Sequence, residues 1–330
     1  MRRFLAIFNA RNLEFFRDRG NFFWNMFLPI FLIFGFAFAF SGNNDAQYKI
    51  GLSGQTPDTL EFLGFKYLQF IPYKAGDAAL DKLRHHQLDM YIDFDAGNYY
   101  VNTDSPKGYI VERLLLSDRG QSLHRQSVSG QSIRYVDWFV PGVIGMNIMF
   151  GCIIGVGFVI IRYRKNGVLK RFKATPIHPA EFISAQMFSR FFIMALMCTV
   201  LFAGTNFFLH FMMNGSYLDL AFIAALAILC HISLGLLFST RIKSQELAGG
   251  VMNMFIWPMM FLSGIFFSLE GTPPVLQTIS RFFPITHFIE AARKIMLDGA
   301  TLAGVMDNIL IMAGMTLLFL ITATLIFKWE

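Results

Sequence analysis

The chain has 330 residues, 55% hydrophobic and 15% charged, against about 25% charged in a soluble domain, which excludes water as its main solvent. With 39 Phe and 18 Met it falls among polytopic α-helical membrane proteins and outside the disordered, collagen-like and coiled-coil classes. The net charge of +6 sits beside apolar runs, which points to an anionic membrane surface and away from nucleic acid.

In residues 1–20, Phe4, Ile7, Phe8, Leu13, Phe15 and Phe16 are mixed with Arg2, Arg3, Arg11, Arg17 and Arg19. That mixture predicts an interfacial amphipathic helix on the cytoplasmic surface. Six windows free of Asp, Glu, Lys and Arg follow: 20–44, 138–161, 191–218, 220–240, 247–269 and 308–327. Each reaches the roughly 20 residues that cross a hydrocarbon core, so six transmembrane helices are expected. The first window, taken as helix 21–44, is longer than the roughly 7–15 apolar residues of a signal-peptide core. Windows three and four meet at Asp219, so Asn214, Gly215, Ser216 and Tyr217 read as a tight turn. Cys152, Cys198 and Cys230 lie in apolar stretches and read as small packing residues. Lys and Arg concentrate in 1–20, in 162–173, at Arg241 and Lys243, and at Lys328. The positive-inside rule makes these segments and both termini cytoplasmic, as in a multi-pass protein of a bacterial inner membrane.

Residues 45–136 are then extracytoplasmic. Short strand-like and helix-like pieces alternate there, predicting a small α/β domain between helices 1 and 2. Ala79, Leu80, Leu83 and Leu88 have helical spacing, and Met90, Ile92 and Phe94 alternate with Tyr91, Asp93 and Asp95 as in a half-buried strand. Residues 49–52 and 67–71 are further strand candidates, and 107–116 a helix. Asp89, Asp93, Asp95, His85 and His86 do not have the spacing of a calcium loop or a metal site. Residues 137–330 carry helices 2–6.

None of the six windows holds a carboxylate, Lys or Arg that could bind a coupling ion, and the chain has no Gly-Lys pair from which a phosphate loop could be built. Energy for any transport must then come from a separate ATPase, which would hold the ATP and magnesium. The place for such a partner to act is the loop after window two. There Val168, Leu169 and Phe172 form an apolar side and Lys170, Arg171 and Lys173 a basic side, between Gly167 and Pro176.

Three segments carry a resemblance to a known family. Gly167, Leu169, Arg171 and Ala174-Thr175-Pro176 form the first, and Val140-Pro141-Gly142 the second. The third is Leu262-Ser263-Gly264-Ile265-Phe266-Phe267 with Leu269-Glu270, Pro273-Pro274, Phe283-Pro284, Thr286, Glu290 and Arg293. Their order resembles that of permeases in the type-2 family of ATP-binding-cassette transporters. Arg164-Lys165-Asn166 departs from the family, which often has a Glu before the loop Gly, and Ser268 stands at a usual Pro.

The resemblance implies a coupling helix within 164–180, an outer re-entrant segment at 270–304, and a second permease subunit as a homodimer or paralogue. It also implies export of amphipathic, lipid-linked or drug-like molecules. ATPase coupling then falls to Glu14, Arg17, Gly167, Leu169, Arg171, Phe172, Thr175 and Pro176. A substrate path is expected between helix 2 (Val143, Asn147, Gly151, with Ile154) and helix 5 (Asn253, Trp257, Met260, Gly264). An outer gate is expected at Glu290, Arg293 and Lys294, whose spacing places the acid beside both bases. The competing reading is an integral membrane enzyme using His231 or His287 with Asp137 or Asp307.

Overall fold

A computed structural model of the chain describes residues 2–18, 23, 26–34, 48–54, 61–73, 76–84, 86, 88–117, 123–130, 133–175, 179–240, 242, 244–267 and 273–326. Residues 35–44 of the first window, His85, Pro176, Arg241, Lys243, Ser268, Leu269 and Glu270 lie outside them. The chain divides into two compact units, Met1–Ala39 with Tyr135–Glu330, and Phe40–Arg134. The first two helices are α1 (Arg2–Arg17) and α2, residues 26–34.

The smaller unit is α/β. Strands β1 (Tyr48–Ser53), β2 (Leu68–Pro72), β3 (Met90–Asp93), β4 (Asn98–Asn102) and β5 (His124–Val128) form one sheet in the order β2-β1-β3-β4-β5. Among the described residues the β3–β4 pair is antiparallel and the other three pairs are parallel. Helices α3 (Gly76–Arg84) and α4 (Pro106–Ser117) contribute to two separate cores. Ile50, Met90, Ile92 and Val101 pack with Val111 of α4, and Leu88 and Tyr91 with Ala79 and Leu83 of α3. Because side chains alternate along a strand, the two cores cover opposite faces of the sheet.

β3 is thus buried on both sides, Tyr91 included, and is not the half-buried strand its alternation predicts. Its acids serve the backbone. Asp89 is buried and accepts the Lys49 N–H at 2.8 Å, and Asp93 accepts the N–H groups of Asp95 and Ala96 at 3.2 Å each. Burial pushes the Asp89 carboxyl pKa up, opposed by that Lys49 bond. The His86 ring donates to the Gly130 carbonyl at 2.8 Å.

The larger unit continues with α5 (Tyr135–Lys165), α6 (Val168–Lys173), α7 (Pro179–Leu209), α8 (Tyr217–Ser239), α9 (Gln245–Leu262), α10 (Pro274–Ser280), α11 (Pro284–Asp298) and α12 (Met306–Ile326). Among the described residues four helical stretches are long and apolar enough to cross a membrane: Tyr135–Lys165, Glu181–Leu209, Tyr217–Ser239 and Leu302–Ile326. The sequence predicts six. Of the other two, α9 has 18 residues and the first window is described only in part.

α5 is the central helix, packed on α7, α8, α9 and α11. Its approach to α8 is close because Gly235 has no side chain. A Cβ there would sit 2.9 Å from the Ile153 carbonyl oxygen. α7 starts well before the apolar window at 191, and so carries Arg190, 2% exposed, inside the helix. This overturns the expectation that no span holds an ionisable group. A charge ends an apolar window, but the helix runs through it because the Arg190 guanidinium donates to the Gly151 carbonyl and lies 5.3 Å from the Phe15 ring centre. The 210–216 connection is strapped to α11, since Asn214 donates to the Leu297 carbonyl at 2.6 Å and Ser216 caps α8.

Candidate functional site

At the N-terminal end of α5, the second and third motif segments meet. Gly264, two residues past the end of α9, has φ +74°, a left-handed conformation that glycine adopts without strain. The turn it starts lies directly on Gly142, where a Cβ would be 2.8 Å from the Ile265 carbonyl oxygen. Arg293 of α11 closes the cluster. Its Nε donates to the Trp138 carbonyl at 3.1 Å and its Nη2 to the Gly264 carbonyl at 2.7 Å. The guanidinium also sits 3.5 Å from the Trp138 ring centre. Tyr135 Oη adds a bond to the Phe266 carbonyl at 2.9 Å.

Burial lowers the Arg293 pKa, opposed by Tyr135 and Glu290. The expected ion pair of Arg293 with Glu290 does not form. Desolvation favours the two carbonyls and the ring face for Arg293, while the exposed Glu290 accepts from Asn308 of α12 at 3.1 Å. Lys294 is exposed.

At the other end of α5 lies the loop helix. Gly167 enters α6 with φ +69°, Leu169 is fully buried, and the Phe172 ring packs 5.4 Å from that of Phe182. Lys170, Arg171 and Lys173 are exposed. Thr175 Oγ1 donates to the Phe172 carbonyl at 2.7 Å, closing the last turn.

Arg164, which departs from the family pattern, caps α8. It donates to the carbonyls of Ser239, Thr240 and Ile242 at 2.9, 3.0 and 2.6 Å. A cation at a helix C-terminus satisfies carbonyls that have no partner within the helix.

Glu14 does not face outward as a docking residue. Its carboxylate pairs with Arg11 at 2.9 Å and with Arg162, and accepts the Tyr163 hydroxyl at 2.5 Å, so it pins α1 to α5. Arg17 is exposed. α1 also packs on α7, through Phe15 against Ile193 and Met197 and through Ser189 Oγ donating to Asn12 Oδ1 at 2.5 Å.

The expected substrate-path faces divide. On α9, Asn253 and Trp257 are exposed, whereas Met260 and Gly264 are buried within the chain, Gly264 because the helix has already ended. On α5, Val143 is fully buried in packing, but Asn147, Gly151 and Ile154 line a cavity of about 1020 Å³. The cavity lies among α1, α2, α5 and residues Arg190 and Gln245.

The two candidate enzyme bases have other partners. His231 Nδ1 bonds to the Ala227 carbonyl of its own helix at 2.8 Å and His287 Nε2 to the Arg281 carbonyl at 2.8 Å. Asp137 accepts the Met212 N–H at 2.9 Å. Neither ring meets Asp137 or Asp307, so the geometry gives no His/Asp site.

A family model described as ABC-2 type transporter matches residues 92–297, well over half of the chain. The chain belongs to the ABC-2 type transporter family. The curated relatives of this ABC-2 chain include the probable multidrug ABC transporter permease YbhS of Escherichia coli strain K12, 25% identical over 58% of this chain and 48% of the relative. The inner membrane transport permease YhhJ of the same strain is 27% identical over 49% of this chain and 44% of the relative. The linearmycin resistance permease protein LnrN of Bacillus subtilis strain 168 is 24% identical over 59% and 48%. The chain spans about half the length of the curated relatives it matches. With its apolar helices, membership makes it a multi-pass membrane protein.

Arg190, Arg164 and the pairing of Glu14 escaped the sequence reading. Only Arg190 left a signal, as a lone cation at the edge of an apolar run.

Proposed function

We propose that the chain is the permease subunit of an ABC exporter, moving an amphipathic, lipid-linked or drug-like molecule outward with ATP hydrolysed by a separate ATPase subunit. The observation that carries this reading is α6, with Leu169 buried, Phe172 half-buried and Lys170, Arg171 and Lys173 exposed. A helix held at one face by its own protein and basic at the other suits docking in a groove of another chain. Gly167 and Thr175 delimit it, Pro176 follows in the sequence, and Arg17 extends the exposed basic surface; Glu14 acts behind them by holding α1 in place.

In this reading both termini and α6 face the cytoplasm of a bacterial inner membrane, and the α/β domain faces outside. Two such subunits pair across the exposed face of α9 that carries Asn253 and Trp257. Glu290, Arg293 and Lys294 border the outer gate, with Arg293 acting as its structural tie. The relatives named for multidrug and linearmycin resistance support an amphipathic cargo.

The test is ATP-dependent uptake of an amphipathic dye into inverted membrane vesicles that contain the chain and its ATPase. Uptake that needs both chains and ATP is expected. Uptake unchanged without this chain would contradict the proposal.

A further inference from the structure

The cavity beside α5 is built around a cation without a counter-ion. Arg190 lines it and is 2% exposed, and among the described residues it has no ion pair and its Nε and Nη1 have no hydrogen-bond partner. The guanidinium lies on α5 between Gly151, whose carbonyl it meets, and Gly155, where a Cβ would collide with it. An isolated buried charge costs several kcal/mol after relaxation unless an opposite charge meets it.

The cavity's other charges do not supply one. Four arginines line it against two carboxylates, Glu14 and Asp18. Glu14 is committed to Arg11 and Arg162, and Asp18 is exposed. Apart from Asn147 and Gln245 the rest of the wall is apolar, with Leu13, Leu28, Met146, Phe150, Ile154 and Phe158. At about 1020 Å³ the space matches the upper range of small-molecule pockets, about 1,000 Å³.

We infer that this cavity binds an anionic amphiphile, a phosphate-type headgroup seated toward Arg190 and its alkyl chain along the apolar wall. Asn147, also on the wall, is placed to contact the polar end. As a statement about cargo this rests on the export reading; as a statement about binding it does not. The same chemistry is offered by an anionic membrane phospholipid and by a single-chain transported amphiphile.

The experiment is equilibrium binding of radiolabelled hexadecyl phosphate to the full chain in neutral detergent, with hexadecanol for comparison. Saturable binding of the phosphate at one site is expected, with hexadecanol at least tenfold weaker. Arg190→Gln should weaken phosphate binding at least tenfold, and Arg190→Lys, which keeps the charge, less. Ile154→Trp fills the apolar wall without touching the guanidinium and should also weaken binding, so it decides the matter if Arg190→Gln does not fold.

Displacement of hexadecyl phosphate by stoichiometric dioleoyl phosphatidylglycerol identifies a lipid site, and resistance to displacement identifies a single-chain cargo site. Absence of saturable binding, or equal binding by wild type, Arg190→Gln and Ile154→Trp, would overturn the inference. Because no ATPase is needed, failure of the export reading leaves this result readable.

Discussion

Gly142→Ala isolates the contact on which the motif cluster depends. The new Cβ would stand 2.8 Å from the Ile265 carbonyl oxygen and 3.1 Å from its Cα. Carbon and carbonyl oxygen normally meet at about 3.3 Å or more, so one segment must retreat by roughly 0.5 Å. Neither can do so freely. Both are backbone, and the turn is tied down by Arg293 on Gly264 and by Tyr135 on Phe266. Overpacking of this kind costs about 1–3 kcal/mol.

Against that, Gly→Ala within a helix gains about 0.5–1 kcal/mol, so the net loss should be about 0–2.5 kcal/mol. Gly314→Ala supplies the reference, since nothing lies within 4 Å of its added Cβ. It should collect the helical gain alone. The assay is thermal unfolding of both variants and wild type in one detergent. Gly142→Ala should melt below wild type and Gly314→Ala at or above it, with roughly 2 °C or more between the variants for each kcal/mol. Melting of Gly142→Ala at or above Gly314→Ala would refute the close approach.

Glu14→Gln removes the charge that ties α1 to Arg162. The groups are partly exposed, so solvent screening holds the expected loss to about 1 kcal/mol or less, while hydrogen exchange in α1 should rise; unchanged exchange there would show that α1 is held by its packing on α7 and not by Glu14. Trp257→Ala, on the exposed face of α9, should change which amphipathic molecules are exported, whereas Leu317→Ala on α12 should not. Equal changes in both, per molecule of protein, would leave lipid contact as their common role. Single cysteines at Lys170 and Lys82, in a background without Cys152, Cys198 and Cys230, test the orientation. Only position 82 should react with an impermeant thiol reagent in sealed cells, and labelling at 170 would reverse it.

Most of the helices could be read directly, because an apolar run of about 20 residues has few other uses. In the α/β unit, the helix at Ala79 to Leu83 and the strand at Met90 to Ile92 announced themselves by period. β4 and β5 did not. β5 is nearly all exposed and reads His-Arg-Gln-Ser-Val, and it is held by its parallel pairing to β4, which no local pattern encodes.

The site residues were legible where chemistry is local, as in α6, where the apolar and basic faces show in six residues. They were illegible where partners come from far along the chain. Glu14 and Arg162, Arg190 and Gly151, and Arg293 and Trp138 are each joined only by tertiary packing. The spacing of Glu290 and Arg293 suggested a pair, but burial of the guanidinium selected carbonyls and an aromatic face instead.

The central claim is that a separate ATPase drives this chain through α6. It is tested most directly by measuring the affinity of the purified chain for its ATPase, with wild type against Arg171→Glu. Arg171 is exposed and makes no side-chain bond that holds the fold together among the described residues, so the reversal of charge should leave thermal stability unchanged. At least a tenfold loss of affinity is expected, together with loss of transport-coupled ATP hydrolysis. Binding and hydrolysis both at the wild-type level in a folded Arg171→Glu protein would contradict it.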